Sequence, residues 1–578
     1  MGLGILDPRR PTEVPGTTRY FDDLEGLEGA TSTSTSAQVK RDNGIILVPQ
    51  PSDDPNDPLN WPLWKRDLIL LLLSIVSIFA TSLGPILAAN TISLSVFFSV
   101  KFTKVAILTG WFLFGVGIAA IWFVPSARIW GKRHLFLLGT ITLIFSSAWA
   151  GAAGHSYGSL AGARFIQGIG AAPFETLVNA VVGDMYFVHQ RGKRMALTNL
   201  AVFGGAFFTP IVVGKITYTI GWPWTFYFVS IFCGVSLPLV YFFVPETTYC
   251  RSAHLNTDTA SSVDIHHLQK PHTHEHTTDL SPSNAQSLEL SEASIQNPSA
   301  QPESQDPPTL FTGAGTPKKS FTELLVLFCG RMSPEKFWKL ALRPFPLFCH
   351  PAIMWACLTQ GAMVGWTVFI SVVIAGIFIG PPLWYGEVQT GYAFTGAFIG
   401  AVGGFLLAGA VADWSAKVMT RRNGGIYEPE FRIVLVIPQL ILGCTGLYLF
   451  GATSTPAGLI KHGWIVPVVA FGLQVAGMVI GAVAASLYLV DAHRDIAVEA
   501  FTCTIIFKNF FSFGLTFSAY QWVIGPGGTF RVFMWISSIQ VVVCLLSIPM
   551  YVFGKRNRDF FHRHNILKLC GLMNKRDT

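Results

Sequence analysis

Apolar stretches long enough to cross a membrane recur twelve times along the chain. A transmembrane helix needs about 20 mainly apolar residues to cross a hydrocarbon core ~30 Å thick. The first six stretches lie at residues 68–90, 105–124, 135–153, 158–182, 196–218 and 223–244. The second six lie at residues 349–376, 389–411, 432–451, 464–489, 499–523 and 530–553. The pattern predicts an all-α polytopic membrane protein with twelve transmembrane helices in two groups of six.

Polar segments flank and separate these two groups. Residues 1–66 are polar with no periodic apolar pattern, which predicts a disordered tail. Residues 249–345 are rich in Ser, Pro and His and predict a flexible linker, and residues 555–578 form a second tail. The N-terminal six-helix half is therefore assigned to residues 67–248 and the C-terminal half to residues 346–554. No acid or cysteine is spaced to complete a site with the linker histidines, so we predict no metal and no cofactor.

Composition and charge support a membrane protein. Charged residues make up 13% of the 578 residues, against roughly 25% in a typical soluble domain. The net charge of +7 indicates topology rather than nucleic-acid binding, because Lys and Arg gather beside alternate spans. These residues are Arg128, Lys132, Arg133, Arg191, Lys193, Arg194, Lys417, Arg421, Arg422, Arg494, Lys555, Arg556 and Arg558. Their distribution predicts that both termini are cytoplasmic. The low charge content predicts that the helices are surrounded by membrane lipid.

Two ionisable residues interrupt the fourth apolar stretch. Arg164 and Glu175 lie on one helical face with Asn179, about 16 Å apart along the axis, so they cannot pair directly. Ionisable side chains in a span mark candidate functional sites, because their burial requires a partner or water. Glu175 is a candidate for binding a proton or a cationic substrate, with a structural hydrogen-bonding role as the alternative. Arg164 equally fits a structural role, in which it binds helix carbonyls.

The eleventh stretch contains a second pair of polar residues, Lys508 and Asn509. Lys508 lies deep in its span and needs a carboxylate, a water-filled cavity or a substrate anion. A partnership with Glu175 across the two halves is one hypothesis. Further candidates for lining the cavity lie in the seventh and tenth stretches, although packing is the alternative for the aromatic ones: Gln360, Trp366, Gln474 and Tyr488.

Several short motifs resemble those of the major facilitator superfamily. The string ARFIQG at residues 163–168 resembles the fourth-helix Arg-x-x-Gln-Gly pattern of that family. GAFFTPIVVG is similar to the fifth-helix antiporter pattern, in which Gly205, Pro210 and Gly214 agree. The string PETT at residues 245–248 resembles the family's ending of the sixth helix. The resemblance implies two six-helix halves that alternate access to a site between them.

The connection between the second and third stretches matches a further family motif in part. Gly131 and Arg133 of VPSARIWGKR fit it, whereas Arg128 stands where the family has Asp. In the second half, Asp413 of GAVAD restores the acid, and Arg421 and Arg422 follow. The resemblance implies that these residues act in gating and structure.

Other strings resemble the fungal branch of the drug:proton antiporter group. They are DPLNWP at 57–62 and DMYFVHQRG at 184–192, and the nearest resemblance is to fungal polyamine and organic-cation transporters of the histidinol type. This implies a monomeric, proton-coupled secondary transporter of a small cationic or amphipathic organic molecule in the plasma membrane. An internal membrane such as the vacuolar one is the alternative location.

Three alternatives to this function remain open from the sequence. An exporter of a toxin or secondary metabolite has the same architecture. A facilitative uniporter would explain the absence of Asp and Glu from the first stretch, 68–90. A receptor that transports nothing is the third alternative. An enzyme is not expected, because the sequence shows no nucleophile–base pair, phosphate-binding loop or metal motif.

Overall fold

The computed structural model describes residues 3–7, 14, 16–19, 41–42, 45–47, 49–249, 317–328, 330–493, 496–525 and 527–573. Twelve long helical segments dominate these residues. The first half contains α1 Leu63–Ser82, α2 Phe102–Trp130, α3 Arg133–Gly151, α4 Tyr157–Met185, α5 Val188–Ile220 and α6 Pro223–Phe243. The second half contains α7 Pro351–Ile379, α8 Glu387–Arg422, α9 Pro429–Thr453, α10 Ile465–Ala492, α11 Ala497–Ile524 and α12 Gly528–Leu569.

Five of these segments are interrupted. The α4 segment is interrupted at Leu177, and α8 at Ala393. The α7 and α9 segments each contain one π-helical turn, Cys357–Gly361 and Leu440–Cys444, and α12 continues past Leu545 as Ser547–Arg563 and Ile566–Leu569. Short helices connect the segments: Pro58–Asn60, Pro85–Leu87, Thr91–Phe98, Phe321–Leu324, Phe337–Leu342, Pro344–Leu347 and Pro456–His462. Two-residue strands form two small ladders: Thr18–Arg19 with Ile426–Tyr427, and Arg41–Asp42 with Ile45–Ile46.

The prediction of an all-α polytopic membrane fold is confirmed. Eleven segments, α2 to α12, are long and apolar enough to cross a membrane. The α1 helix is the twelfth, and it begins with the charged run Lys65, Arg66 and Asp67 before its apolar part. The predicted first span, 68–90, is too long, because α1 ends at Ser82 just before Gly84 and Pro85. Pro85 has no backbone N–H to continue the hydrogen bonds of the helix, so the regular α-helix ends and a short 3-10 turn, Pro85–Leu87, follows.

The described parts of the N-terminal tail contact the helical bundle, whereas the disorder of residues 1–66 stays a prediction. Ile5 is buried against Tyr427 and Phe431, and the backbone N–H of Leu6 donates to the carbonyl of Val552. Nearer α1, the Asp57 carboxylate accepts hydrogen bonds from the backbone and side chain of Ser52. Local polar contacts hold this segment where an apolar pattern is missing. The rest of the tail, and residues 250–316 of the predicted linker, lie outside the described residues.

Contacts between the halves run along two helix pairs, α2 with α11 and α5 with α8. The first pair approaches closely at Gly110, where an added Cβ would lie 2.4 Å from Thr516 Oγ1. The second pair approaches at Gly391, where it would lie 2.5 Å from the carbonyl oxygen of Pro210. Small residues allow such backbone approach between membrane helices. Below, the side of the bundle at which α1 begins and α12 ends is the terminus side, and the opposite side is the far side.

Candidate substrate cavity

A cavity lies between the two halves. Its volume is about 150 Å³, and it is partly open to its surroundings. Residues of α1, α2, α4, α5, α7, α10 and α11 line it, from the middle of these helices toward the far side. Most are apolar, such as Phe112, Phe207 and Met478, with Thr and Ser hydroxyls between them. Mainly apolar walls with a few polar groups are typical of sites for small organic molecules.

An ion pair between the halves forms part of the cavity wall. Glu175 Oε1 of α4 contacts Lys508 Nζ of α11, and their side chains are 16% and 12% exposed. The hypothesis that these two residues pair is therefore confirmed as geometry. Each charge satisfies the other in an environment where an isolated charge is costly. Their role in transport stays a prediction.

Local helix geometry brings the two side chains together. Pro173 lies inside α4 and removes one backbone hydrogen bond shortly before Glu175, and the regular helix is interrupted at Leu177. On the other side, Gly361 in the π-helical turn of α7 lets that helix approach α11, because an added Cβ would lie 2.5 Å from Phe507 Cδ1, next to Lys508. Both helices are therefore distorted or closely packed where they carry the charges.

Asn509 also lines the cavity, next to Lys508. Its Nδ2 donates to the carbonyl of Ile505 at 3.0 Å, so the amide nitrogen is bound within its own helix. One turn farther, Ser512 Oγ donates to the carbonyl of Lys508 at 2.6 Å. The Asn509 amide oxygen remains the group through which this side chain can accept a hydrogen bond from a substrate.

Arg164 does not line the cavity. It is fully buried, and its guanidinium donates to the Leu108 carbonyl at 3.3 Å, to Gln167 Oε1 at 3.0 Å and to the Gly84 carbonyl at 3.5 Å. The charged group also lies over the ring of Phe112, 4.9 Å from its centroid. These contacts join α4 to α2 and to the turn after α1. The geometry is that of the structural alternative, in which Arg164 binds helix carbonyls.

Asn179, the third polar residue of the predicted face, points toward α5 instead. Its Nδ2 donates to Asn199 Oδ1 at 3.2 Å, and its Oδ1 accepts from Thr198 Oγ1 at 2.8 Å. Asn179 is not among the described residues that line the cavity. Its role in binding a substrate or a proton stays a prediction.

The four secondary candidates lie within the C-terminal half and do not line the described cavity. Trp366 Nε1 donates to Gln540 Oε1 at 3.0 Å, and Tyr488 is buried against the ring of Trp355. Gln474 Nε2 donates to the hydroxyl of Thr367 at 2.8 Å, so it supports a residue of the cavity wall. Gln360 belongs to the π-helical turn beside Lys508, and its Oε1 is buried without a hydrogen-bond partner among the described residues.

The glycine–proline motif of α5 serves contacts with other helices. Gly205 faces α1, where an added Cβ would lie 3.2 Å from the Ile78 Cα. Gly214 faces α8, where it would lie 2.6 Å from the carbonyl oxygen of Glu387, and the Pro210 carbonyl meets Gly391. The motif therefore allows α5 to approach α1 of its own half and α8 of the other half.

The motif between α2 and α3 is built around a carboxylate. Gly131 has a φ of +90°, which favours glycine, and the backbone N–H groups of Lys132 and Arg133 donate to Glu246 at 2.9 and 3.0 Å. The Arg133 guanidinium binds the carbonyl of Tyr241 at 2.8 Å and that of Leu324. This connection holds the end of α6 and the end of the linker in place. In the second half, Asp413, Arg421 and Arg422 are exposed.

Arg128, the residue that departs from the family motif, joins the two halves. Its guanidinium contacts Glu335 of the linker at 3.1 Å and Glu499 of α11 at 2.5 Å. Arg343 contacts the same two carboxylates at 2.6 and 3.2 Å. These four residues, here named the terminus-side quartet, balance two positive and two negative charges. Sequence reasoning missed the quartet, because its only signal was an arginine in the place of an acid.

Comparisons with known proteins agree with this architecture. The sequence profile of the Major Facilitator Superfamily matches residues 69–502. Protein HOL1 of Saccharomyces cerevisiae is 24% identical over 573 residues, covering 95% of this chain and 96% of that protein. MFS transporter cpaT of Aspergillus oryzae is 23% identical over 557 residues, covering 95% and 97%.

Solved structures show the same fold. The proton:xylose symporter XylE bound to 6-bromo-6-deoxy-D-glucose superposes with a TM-score of 0.53 at 13% identity, covering 85% of this chain and 96% of that one. The partially occluded inward-open XylE of E. coli gives a TM-score of 0.52 at 14% identity, covering 84% and 97%. The matched family and relatives such as cpaT are transporters. The prediction that the chain is not an enzyme is therefore confirmed.

Proposed function

Because the chain belongs to the major facilitator superfamily and moves small molecules by alternating access, we propose that its substrate is a small cationic or amphipathic organic molecule. We propose further that its transport is coupled to protons. The observation that carries the proposal is the ion pair of Glu175 and Lys508 in the wall of a mainly apolar cavity between the halves.

The chemistry of the cavity favours a molecule with an apolar body and a positive group. Phe112, Phe207 and Met478 offer apolar surface, and each 100 Å² of apolar substrate surface buried there contributes about 2.5 kcal/mol. Glu175 is the acidic residue among the described residues of the wall, so it is the group that can bind a cation directly. The aromatic rings of Phe112 and Phe207 can add cation–π attraction.

Proton coupling is supported by the same pair. An ionisable side chain deep in a membrane helix is a frequent element of proton pathways, because its charge can change as its environment changes. A facilitative uniporter is the second candidate, since the apolar part of α1 carries no acid. An exporter of toxins or secondary metabolites would use the same cavity in the opposite direction.

The location and topology form a further part of the proposal. Both described chain ends lie on the terminus side, where Tyr551 Oη donates to the carbonyl of Leu3 at 3.0 Å. Lys132 and Arg133 lie on that side as well, and basic residues favour the cytoplasmic side of a membrane. We therefore place the terminus side in the cytoplasm and the protein, as a monomer, in the plasma membrane.

Uptake into proteoliposomes tests the proposal. The panel comprises radiolabelled tetraethylammonium, tetraphenylphosphonium and spermidine, each with and without an imposed pH gradient. The wild type should accumulate at least one of them uphill, and Glu175→Gln should lower that uptake by about tenfold or more. Glu323→Gln, which changes an exposed acid of the linker, is the matched control.

Two results would contradict parts of the proposal separately. Uptake that is unaffected by a protonophore would reject proton coupling and favour the uniporter. Failure of the wild type to transport any member of the panel would reject the cationic class, and neutral toxins would then be tested for export.

A further inference from the structure

The charge of the cavity wall is balanced before any substrate enters. Among the described residues of the wall, three carry ionisable side chains: Glu175, Lys508 and Tyr520. The Tyr520 hydroxyl donates to the carbonyl of Val372 at 2.7 Å, so it is bound to α7. The remaining two form the ion pair, and the wall around them is therefore neutral when Lys508 is protonated.

A cationic substrate that binds Glu175 is repelled by the Lys508 ammonium group beside it. Two positive charges beside one carboxylate leave one charge uncompensated in a mainly apolar space. An unpaired charge in such a space is costly, because little water is present to solvate it. The loss of one proton from the Lys508 ammonium group removes that penalty, because one positive charge then leaves as another enters.

We propose that Lys508 competes with the substrate for Glu175, and that a monocation which binds beside Glu175 causes the Lys508 ammonium group to lose a proton. This inference rests on the proposed function and assigns the exchanged proton to Lys508 rather than to Glu175. In the step, an N–H bond of the Lys508 ammonium group breaks, and its proton goes to cavity water. The neutral amine stays on α11, and the substrate cation takes its place beside Glu175. Departure of the substrate reverses the step, since the amine takes up a proton and the ion pair forms again.

The step keeps the charge of the cavity constant through the transport cycle. The empty carrier holds Glu175 with protonated Lys508, and the loaded carrier holds Glu175 with the substrate and a neutral Lys508. Neither form moves an unbalanced charge through the apolar core, which would be costly in a low-dielectric medium. Both forms can therefore change between the two access states, and one proton is exchanged for each monocation.

Two substitutions of Lys508 separate this role from that of a structural ion pair. Arginine keeps a positive charge at any attainable pH, so Lys508→Arg can pair with Glu175 but cannot release a proton. Lys508→Met removes the competitor and leaves Glu175 available. A structural ion pair predicts that Lys508→Arg works and Lys508→Met fails. A competitor predicts the opposite order for binding of the cation.

The experiment measures binding, proton release and flux with the full chain. Binding of the monocations of the panel is measured in detergent at low buffer capacity with a pH-sensitive dye, and flux is measured in proteoliposomes. In the wild type, each bound monocation should release about one proton. Lys508→Arg should weaken binding by about tenfold or more. Lys508→Met should bind at least as tightly as the wild type and release no proton.

Flux provides an independent readout. Lys508→Met should retain exchange of labelled for unlabelled cation, but its net uptake should fall by about tenfold or more, because its empty form carries an unbalanced Glu175. Lys461→Arg and Lys461→Met, at an exposed lysine on the far side, are the matched controls and should behave as the wild type.

The outcomes distinguish the two proposals. Wild-type binding and net uptake in Lys508→Arg would overturn the competitor role and leave the proposed function in place. Absence of proton release from the wild type on binding would also overturn it. If Lys508→Met does not fold, as judged by size exclusion and thermal unfolding, Lys508→Arg decides alone because it retains the pair. If the wild type transports no monocation of the panel, the proposed function fails first and this inference fails with it.

Discussion

Replacing Arg128 by glutamine should shift the balance between the two access states. Arg128 is the residue through which α2 of the first half contacts Glu335 and Glu499 on the terminus side. In Arg128→Gln, the two carboxylates share the single remaining cation, Arg343. The state in which the quartet is assembled is therefore destabilised relative to the state in which the halves separate on this side.

The magnitude follows from the exposure of the four side chains. Glu335, Glu499 and Arg343 are 11%, 7% and 5% exposed, whereas Arg128 is 39% exposed and partly screened by solvent. Loss of one member of a fully buried pair costs about 3–5 kcal/mol, and an exposed pair is worth about 0.2–1 kcal/mol. Between these limits, we expect about 1–2 kcal/mol, which changes a two-state ratio by about 5- to 30-fold.

Electron–electron double resonance measures that ratio directly. Spin labels at Leu63 of α1 and Trp414 of α8 report the separation of the halves near the terminus side, in a background in which the nine cysteines are replaced by serine. Arg128→Lys keeps the charge but loses the forked contact with both carboxylates, so its ratio should lie between those of the wild type and Arg128→Gln. Lys417→Gln removes an exposed charge of α8 and serves as the control. A distance distribution for Arg128→Gln that equals the wild type would refute the reasoning.

Two further predictions concern stability. Gly168→Ala should lower the unfolding temperature and cost about 1–3 kcal/mol, because an added Cβ would lie 2.1 Å from the Phe112 carbonyl oxygen. Gly183→Ala is the control: its Cβ would meet no atom within 4 Å, so it should leave stability unchanged or raise it by up to about 1 kcal/mol. Equal unfolding curves for the two variants would contradict this. Burial lowers the pKa of His350 to about 4 and, together with His350 and Arg558, lowers the pKa of His493 well below its ordinary value. The unfolded chain therefore binds more protons below about pH 6.5, and the free energy of unfolding should fall from there toward pH 4 by up to about 1.4 kcal/mol per pH unit for each histidine. Thermal unfolding at a series of pH values should show a smaller fall for His350→Asn, and an unchanged fall would exclude this residue as a cause.

The number and order of the helices were predictable because hydropathy reports directly on membrane crossing. The ends were less predictable. The second stretch, 105–124, continues in the structure as Phe102–Trp130, since a helix carries polar residues and even Pro125 beyond the hydrocarbon region. The predicted end of the first stretch lies beyond the end of the helix, because apolar residues continue past the turn at Pro85. Helix termini depend on local backbone geometry, which a count of apolar residues does not measure.

The cavity was predictable only where charge was the signal. Glu175 and Lys508 stand out because a charge in an apolar helix demands a partner. Trp366 and Tyr488 carry no such demand, since aromatic residues pack a helix bundle as readily as they line a cavity, and the structure packs both. Asn179 gave no such signal either, since an amide can be satisfied by neighbouring side chains, as it is here by Asn199 and Thr198.

The terminus-side quartet shows why a departure from a family motif can change its chemistry and keep a contact between the halves. Where the family has an acid, Arg128 requires carboxylates, and the structure supplies one from each of two other segments. Glu499 lies in the first turn of α11, where a negative charge is favoured by the helix dipole.

Glu335 comes from the end of a segment whose composition predicted a flexible linker. Because Glu335 and Arg343 of that segment pair with each other as well as with Arg128 and Glu499, the linker end is itself a part of the contact between the halves. Motion of the halves and the position of the linker end are therefore coupled through these four charges.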